Sequence, residues 1–392
     1  MNEAERKGAQ DGNRLNGTDS VALGSSCPCT CARVPLDKAV GMVLAHDITE
    51  IRRNEFKGRA FKKGHVVRRE DLCHFQRLGK EHLFVLSIGV DEMHEDDAAY
   101  ALASMLIGRG VAMEGGAREG KINIIAAKDG LLKINLDILL RLNLLGDVMC
   151  ATLHTNTVVR RGQVVAGTRA IPLVVKKKVI EEAKQIAGSI GGTIEVKELR
   201  KPSVGIVITG NEVYHGRVKD AFASIIKKKM HEVNGTITGM YYAPDDEMVI
   251  GARLKQLMDL GADLLITTGG MSVDPDDVTR FAIKRLGAKE IVYGSAVLPG
   301  AMFLVAYVEK SQGALSIEQK RKVMHCQTPS ALIPVLGIPA CGMYHKTTIF
   351  DLILPRILSG EVIGRGELAE LGHGGLCLNC QKCRYPVCPF GK

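Results

Sequence analysis

The sequence predicts an α/β fold, with a mostly parallel, three-layer sheet domain over residues 201–361 and smaller mixed α+β modules before it. Two buried apolar runs, VGIVIT at 204–209 and DLLITT at 263–268, are each followed by a glycine turn and a segment that suits a helix. Strands that alternate with helices of this length are typical of βαβ units and a parallel sheet. Open sheets of this kind bind ligands beyond the carboxyl ends of their strands.

The remaining elements of this domain follow from local patterns. Apolar spacing predicts helices over 218–231, 246–260 and 275–286, and the run TITGMYY predicts a strand over 236–242. Carboxylates stand near the start of the second helix, because Asp245 and Asp246 precede its first apolar residues.

Residues 1–32 are predicted to be a disordered leader that carries three closely spaced cysteines, a weak metal-binding signal. Residues 33–200 are predicted to form a mixed α+β region, with possible modules at 34–86 and 96–200, and residues 362–392 form a cysteine-rich tail. The first module opens on a short apolar helical pattern at Leu36, Val40, Val43 and Leu44. The second is predicted to hold a strand at 122–127, a Leu-rich stretch at 131–145 and an amphipathic helix at 176–187.

Composition restricts the classes of partner. The chain has 392 residues, with 52 Lys and Arg against 43 Asp and Glu, and the resulting charge of +9 favours an anionic ligand or partner. Because no helix-turn-helix or RNP-like signature occurs, we expect no nucleic-acid partner. We also expect no membrane association and a cytoplasmic location, since neither a secretory signal nor a long apolar run is present.

Two glycine turns supply the chemistry of the predicted ligand site. Thr209-Gly210-Asn211-Glu212 follows the first buried strand, and Thr268-Gly269-Gly270-Met271-Ser272 follows the second. Glycine lets backbone N–H groups approach an anion, and the start of the next helix adds partial positive charge. The pattern predicts a site for a phosphate-bearing small molecule, although strand-to-helix turns also use glycine for structural reasons alone.

An acidic cluster follows the second turn, at Asp274, Asp276 and Asp277. Carboxylates beside a phosphate repel it unless a hard cation lies between them, so the cluster indicates Mg²⁺. The same residues suit a helix N-terminus, where aspartate caps the helix and Pro275 occupies the first turn. Both interpretations stay open at the level of sequence.

The tail contains four cysteines within twelve residues, Cys377, Cys380, Cys383 and Cys388. In a reducing compartment, clustered thiols indicate metal binding or redox chemistry. Four thiolates suit Zn²⁺, and the spacing also approaches the ferredoxin run for an iron–sulfur cluster. Zn²⁺, an iron–sulfur cluster and free redox thiols are the alternatives.

These motifs carry a family resemblance. The stretch TGNE at 209–212, the stretch TGGMSV at 268–273 with DVT at 277–279, and Pro299-Gly300 resemble the molybdopterin-binding domain of molybdopterin adenylyltransferases and molybdopterin molybdenumtransferases. The segment PLDKAVGMVLAHDIT at 35–49 resembles the opening of the molybdenumtransferases, which favours that branch. The segment from Lys62 to Gly79 resembles another of their modules.

The resemblance implies a transferase of molybdenum cofactor biosynthesis. It would bind adenylylated molybdopterin, insert molybdate with the help of Mg²⁺ and release AMP, with Glu212 and Asp277 as the catalytic residues. The residues predicted to bind the pterin ligand are Thr209, Gly210, Asn211, Gly269, Gly270, Ser272, Thr279 and Lys346. The carboxylates predicted at the magnesium site are Asp245, Asp246, Asp274 and Asp277. The implied partners are a molybdoenzyme or other cofactor-assembly proteins, and the implied assembly is a homodimer.

The chain departs from the family at several positions. The family usually has Asp where this chain has Asn211, and Lys where Ala301 follows Pro299-Gly300. Its later Leu-Pro-Gly-Asn-Pro loop is matched with the degenerate stretch 326–330, and Lys346 is a candidate to replace the absent lysine. These departures keep two alternatives open, a non-catalytic carrier or chaperone of the cofactor and a metal-dependent regulator that senses it.

Overall fold

The computed structural model describes residues 31–52, 56–86, 88–188, 192–270, 278–310 and 332–392. The chain divides into two compact units, with the division between Ile88 and Gly89. This division falls between the modules predicted at 34–86 and 96–200.

The first unit is a small β-rich module. Its strands and helix are β1 (Cys31–Pro35), β2 (Val43–Leu44), β3 (Ile48–Arg52), β4 (Phe56–Phe61), α1 (Leu72–Arg77) and β5 (His82–Leu86). The strand order β1-β5-β2 forms one sheet, and β3 and β4 form a hairpin. The predicted helical pattern at Leu36, Val40, Val43 and Leu44 is wrong, because Leu36–Lys38 is a single 3-10 turn and Val43–Leu44 is a strand. Gly41 separates them with a φ of +85°, a left-handed conformation that a helix does not contain.

The region from Gly89 to residue 200 is a mixed α+β module. Its elements are β6 (Glu92–His94), α2 (Glu95–Leu106), β7 (Val111–Arg118), β8 (Lys121–Ala126), β9 (Gly130–Ile134), α3 (Leu136–Asn143), β10 (Val148–Thr152), β11 (Val158–Val159), β12 (Val164–Ala170), β13 (Val174–Lys176), α4 (Lys177–Ala187) and β14 (Ile194–Lys197). Two antiparallel sheets, β10-β12-β8-β7 and β11-β9-β14, share one core with α2, α3 and α4. The strand predicted at 122–127 and the helix predicted at 176–187 are confirmed.

The α/β domain is built as its apolar runs predict. Its elements are β15 (Ser203–Thr209), α5 (Asn211–Tyr214), α6 (Phe222–Glu232), β16 (Thr236–Ala243), α7 (Glu247–Asp259), β17 (Leu264–Thr268), α8 (Thr279–Arg285), β18 (Ile291–Tyr293), β19 (Leu304–Glu309), β20 (Leu332–Ile338) and α9 (Ile349–Leu358). The strand order is β16-β15-β17-β20-β19-β18. The first four strands pair in parallel, whereas β19 pairs antiparallel with both β20 and β18. The mostly parallel sheet is therefore confirmed.

Helices cover both faces of this sheet. Ile206 belongs to a core shared with α6 and α9, whereas its neighbour Val207 belongs to a second core shared with α7 and α8. Side chains alternate between the faces of a strand, so both faces need apolar residues and the strand becomes a continuous apolar run. The three-layer architecture is therefore confirmed. We call the end of the sheet where β15, β16, β17 and β20 finish the carboxyl edge.

After α9 the chain continues through α10 (Arg365–Glu370) into the cysteine tail, which packs on the α/β domain. Phe390 is buried in the same core as α9, and Tyr385 donates a hydrogen bond from its hydroxyl to the Asp351 carbonyl at 3.3 Å. Within the described ranges, no helix is both long and apolar enough to cross a membrane.

Candidate functional site

The two predicted glycine turns lie side by side at the carboxyl edge. Strands β15 and β17 are parallel neighbours, and the register pairs Ile208 with Thr268. Gly210 therefore follows β15 directly beside Gly269, which follows β17. The topology brings together two loops that stand about sixty residues apart in the sequence.

Gly269 and Gly270 are glycines because the turn passes very close to its neighbours. Their φ angles are +81° and +57°, and both residues are partly exposed. A Cβ on Gly269 would lie 2.4 Å from the Thr209 carbonyl oxygen, and a Cβ on Gly270 would lie 2.4 Å from Thr279 Oγ1. The backbone of this turn is thus pressed against β15 and the start of α8.

Thr209 and Thr279 lie beneath the turn and support it. The Thr209 hydroxyl donates to the Thr268 carbonyl at 2.9 Å, and the Thr279 hydroxyl donates to the Gly269 carbonyl at 3.4 Å. Thr279 is fully buried and Thr209 is 4% exposed. In this structure the two hydroxyls hold the loops in position. Their predicted contact with the ligand stays a prediction.

A third loop joins the first through a reciprocal pair of hydrogen bonds. The Asn211 amide N–H donates to Asp245 Oδ2 at 2.9 Å, and the Asp245 amide N–H donates to Asn211 Oδ1 at 3.2 Å. This pair connects the ends of β15 and β16. The exposed Glu212 carboxylate folds back over Gly210, where a Cβ would meet its Oε1 at 2.8 Å. Glu212 is therefore placed at the mouth of the glycine turns.

Asp246 is the N-cap of α7. Its Oδ1 accepts hydrogen bonds from the amides of Met248 at 2.8 Å and Val249 at 2.9 Å. Two of the otherwise unpaired N–H groups at the helix start are satisfied in this way. The capping role accounts for this aspartate on structural grounds, and its predicted place at a magnesium site stays a prediction.

We expect Asp246→Ala to lower the free energy of unfolding by about 1 kcal/mol, the usual contribution of an aspartate N-cap. Asp246→Asn should retain stability, because asparagine caps equally well. Asp259→Ala, which removes an exposed carboxylate at the other end of α7, is the matched control. Urea denaturation of the three variants measures the effect. If Asp246→Ala were as stable as Asp259→Ala, the cap would contribute nothing.

Several predicted site residues lie outside the described residues. They are Ser272, Asp274 and Asp277, together with the stretch 326–330. Their predicted roles in phosphate, magnesium and nucleotide binding therefore stay predictions.

Thr268 Oγ1, which is fully buried at the end of β17, has no hydrogen-bond partner among the described residues.

The four tail cysteines and Lys346 line one cavity of about 310 Å³. Cys380 and Cys383 are exposed, whereas Cys377 and Cys388 are half-buried. Cys383 Sγ lies 3.4 Å from Thr347 Oγ1, and hydrogen bonds from this hydroxyl and from the Tyr385 backbone lower the pKa of the Cys383 thiol. Within the described part of the chain, no three His, Cys, Asp or Glu side chains are grouped so that they could hold one metal ion.

Comparison with known proteins shows which family model the α/β domain matches. Residues 205–358 match the family model described as a probable molybdopterin binding domain. The resemblance of this part of the chain to the molybdopterin-binding domain is thereby confirmed. Residues 33–87 match a different model, described as a domain of unknown function (DUF8806).

Curated relatives match part of the chain. A CinA-like protein from Mycobacterium avium is 36% identical over 93 residues, which cover 24% of this chain and 21% of the relative. A molybdopterin molybdenumtransferase from Synechococcus elongatus is 25% identical over 150 residues, which cover 36% of this chain and 37% of the relative. The chain therefore matches well under half the length of these relatives.

Solved structures also resemble part of the chain. The tungsten cofactor synthesizing protein MoaB from Pyrococcus furiosus is 17% identical, with 41% of this chain and 96% of that chain covered and a TM-score of 0.30. The molybdopterin biosynthesis enzyme MoaB from a Thermus species is 18% identical, with 41% of this chain and 98% of that chain covered and a TM-score of 0.31.

Two further turns lie at the carboxyl edge of this α/β domain. Strand β20 is the parallel neighbour of β17, so the turn Ala340–Met343 emerges beside Gly269. The Pro299-Gly300 turn enters β19 at the same edge, and a Cβ on Gly300 would lie 2.4 Å from Ile349 Cγ2. A signal for the first loop was present, since LIPVLGI is a buried apolar run followed by Pro339.

Proposed function

We propose that the chain binds molybdopterin at the carboxyl edge and works in molybdenum cofactor biosynthesis. The observation that carries this proposal is the pair of glycine turns after β15 and β17, pressed together so closely that Gly269 leaves no room for a side chain. Backbone N–H groups at glycine turns before a helix suit a phosphate. The excess of 52 basic over 43 acidic residues also favours an anionic ligand.

We propose further that the protein inserts molybdate into adenylylated molybdopterin and releases AMP. Glu212 is at the mouth of the turns, where its carboxylate could orient the incoming oxyanion through a bridging proton or cation. Asp277 would complete the acidic side of the site.

Asp245 and Asp246 each keep one carboxylate oxygen that could take part in a magnesium site. One oxygen of Asp245 and one of Asp246 accept backbone hydrogen bonds, and among the described residues the second oxygen of each makes no hydrogen bond. Carboxylate oxygens are ligands that Mg²⁺ prefers, and Asp274 and Asp277 would supply the others. When bound, Mg²⁺ would offset the phosphate charge as the nucleotide leaves.

The test is AMP release by the purified full chain from adenylylated molybdopterin, Mg²⁺ and molybdate. We expect Glu212→Ala to slow release on the order of a hundredfold, the usual cost of removing one preorganised electrostatic group, while pterin binding persists. Glu232→Ala, which removes an exposed glutamate at the end of α6, is the control and should act like the unmodified chain. Equal loss of binding and turnover in Glu212→Ala would contradict its assigned role.

A carrier or chaperone of the cofactor is the second candidate function. It is favoured by Ala301, which stands after Pro299-Gly300 where the family usually has a lysine. Tight molybdopterin binding without AMP release in the same assay would support the carrier. No pterin binding at all would contradict both functions.

A further inference from the structure

Helix α3 carries apolar residues on two opposite faces. On its inner face Ile138 and Leu142 are buried, and Leu142 belongs to the core of the mixed α+β module. On its outer face lie Leu136, Leu140 and Leu144, whose exposed fractions are 59%, 61% and 74%. A helix on the surface of a globular protein usually has polar residues on its solvent side. Apolar side chains grouped on one exposed face indicate an interaction surface, and we call these three residues the leucine stripe.

The leucine stripe runs the length of the helix. Its members are four residues apart, a spacing that places side chains one above the other on the same face. Leu144 is the C-cap residue, but its φ of −72° and ψ of −13° are still helical. Its amide also donates to the Leu140 carbonyl at 3.1 Å, so the helical turn continues to the end of the stripe.

The rotation of α3 about its own axis is fixed. The Cys150 amide donates to Asn143 Oδ1 at 2.8 Å, and Asn143 Nδ2 donates to the Cys150 carbonyl at 3.0 Å. These two bonds connect the end of α3 to β10. Together with the burial of Ile138 and Leu142, they keep the leucine stripe turned outward.

A pair of opposite charges flanks one side of the leucine stripe. Asp137 and Arg141 are one turn apart, with Arg141 Nη1 3.8 Å from Asp137 Oδ2, and their side chains are 77% and 56% exposed. When two copies of a helix pack antiparallel about a two-fold axis, each flank faces the same flank of the other copy, in reversed order. Asp137 of one copy then faces Arg141 of the second copy, and the converse pair forms by symmetry.

The spacing of these residues fits a two-fold axis at Leu140. With this axis Leu136 opposes Leu144 of the second copy. Because a helix rises about 1.5 Å per residue, Asp137 and Arg141 of the second copy differ by only about 3 Å along the helix axis. In a parallel pair the charged flank would instead face the flank of Leu139 and Asn143, which carries no charge. The charges therefore favour the antiparallel arrangement.

We propose that the leucine stripe is the docking surface for a second copy of this chain, with the two α3 helices packed antiparallel about a two-fold axis at Leu140. Burial of three leucines from each copy supplies the attraction. The two symmetric ion pairs set the direction and the register of the helices. The proposal rests on the exposed leucines and their flanking charges, and it depends neither on molybdopterin binding nor on AMP release.

The test is sedimentation velocity of the purified full chain over a range of concentrations, for which we expect a dimer. Leu140→Glu places two carboxylates across the two-fold axis and should give a monomer. Its circular dichroism should be unchanged, because Leu140 is exposed. Leu260→Glu, which changes an exposed leucine at the end of α7, is the matched control and should stay dimeric. A monomeric unmodified chain, or a dimer that Leu140→Glu leaves intact, would overturn the proposal.

Charge reversal tests the antiparallel arrangement without changing any leucine. Asp137→Arg should weaken dimerisation about tenfold, because both symmetric pairs change from attraction to repulsion. The double variant Asp137→Arg/Arg141→Asp should recover the dimer, since opposite charges face each other again. If Asp137→Arg dimerised as tightly as the unmodified chain, or if the double variant did not recover, the antiparallel pairing would be wrong.

Discussion

Gly269→Ala is expected to destabilise the second unit by about 2–5 kcal/mol and to abolish molybdopterin binding. The added Cβ would lie 2.4 Å from the Thr209 carbonyl oxygen, which is backbone and cannot turn aside. A left-handed φ of +81° adds a conformational cost of about 1–2 kcal/mol, and overpacking typically adds about 1–3 kcal/mol. Urea denaturation and a pterin-binding titration measure the two effects.

Gly261→Ala is the matched control for this substitution. Gly261 also has a positive φ, +93°, but a Cβ there would meet nothing within 4 Å. It should therefore show only the conformational cost of about 1–2 kcal/mol and should bind pterin normally. If the two variants were equally stable and bound pterin equally well, the close approach at Gly269 would not define the site.

Glu361→Gln is expected to lower the free energy of unfolding by about 3–5 kcal/mol at neutral pH. Glu361 accepts a hydrogen bond from Arg356 Nε at 2.7 Å and pairs with Lys133 Nζ. Arg356 is a buried charge on α9, with its side chain only 8% exposed, and Lys133 lies on β9 of the preceding module. A neutral glutamine would remove the carboxylate that pairs with both Arg356 and Lys133. Glu309→Gln, which breaks the exposed pair with Lys289, is the control and should cost less than about 1 kcal/mol.

The ion pairs of Glu361 with Arg356 and Lys133 should also make the stability of the fold depend on pH. Burial raises the pKa of Glu361, but hydrogen bonds from Lys133 and Arg356 outweigh it and hold the pKa below the usual glutamate value. A carboxylate whose pKa is lowered by folding stabilises the folded state at pH values above its unfolded-state pKa. That stabilisation is lost as the pH falls through the folded-state pKa. As the pH falls below the unfolded-state pKa of glutamate, the free energy of unfolding should therefore decrease more steeply for the unmodified chain than for Glu361→Gln. If the free energy of unfolding of both chains changed equally with pH, Glu361 would not be the group responsible.

The sequence predicted the α/β domain well because its signals are local. VGIVIT and DLLITT needed no distant information, since strands buried on both faces are continuous apolar runs. The pattern at Leu36–Leu44 was misleading because two elements separated by Gly41 mimic one helical face. The place of the turn after β20 beside Gly269 depends on strand order, which periodicity does not contain.

Parts of the site depend on contacts between distant residues. The spacing of the tail cysteines predicted a set of thiols, but the cavity they line also requires Lys346 and its neighbours. Likewise, Asp245 and Asp246 look equivalent in the sequence. The fold distinguishes them, because one pairs with Asn211 and the other caps α7.

The pairing of Asn211 with Asp245 also bears on how the chain departs from its family. Asn211 uses its side-chain oxygen only as an acceptor, a task that the usual aspartate would perform equally well. Asparagine in place of the usual aspartate removes one negative charge from the carboxyl edge without breaking the link between β15 and β16. Ala301, which follows Gly300 at the same edge, removes the positive charge of the usual lysine. The two substitutions therefore remove one charge of each sign and together leave the net charge unchanged.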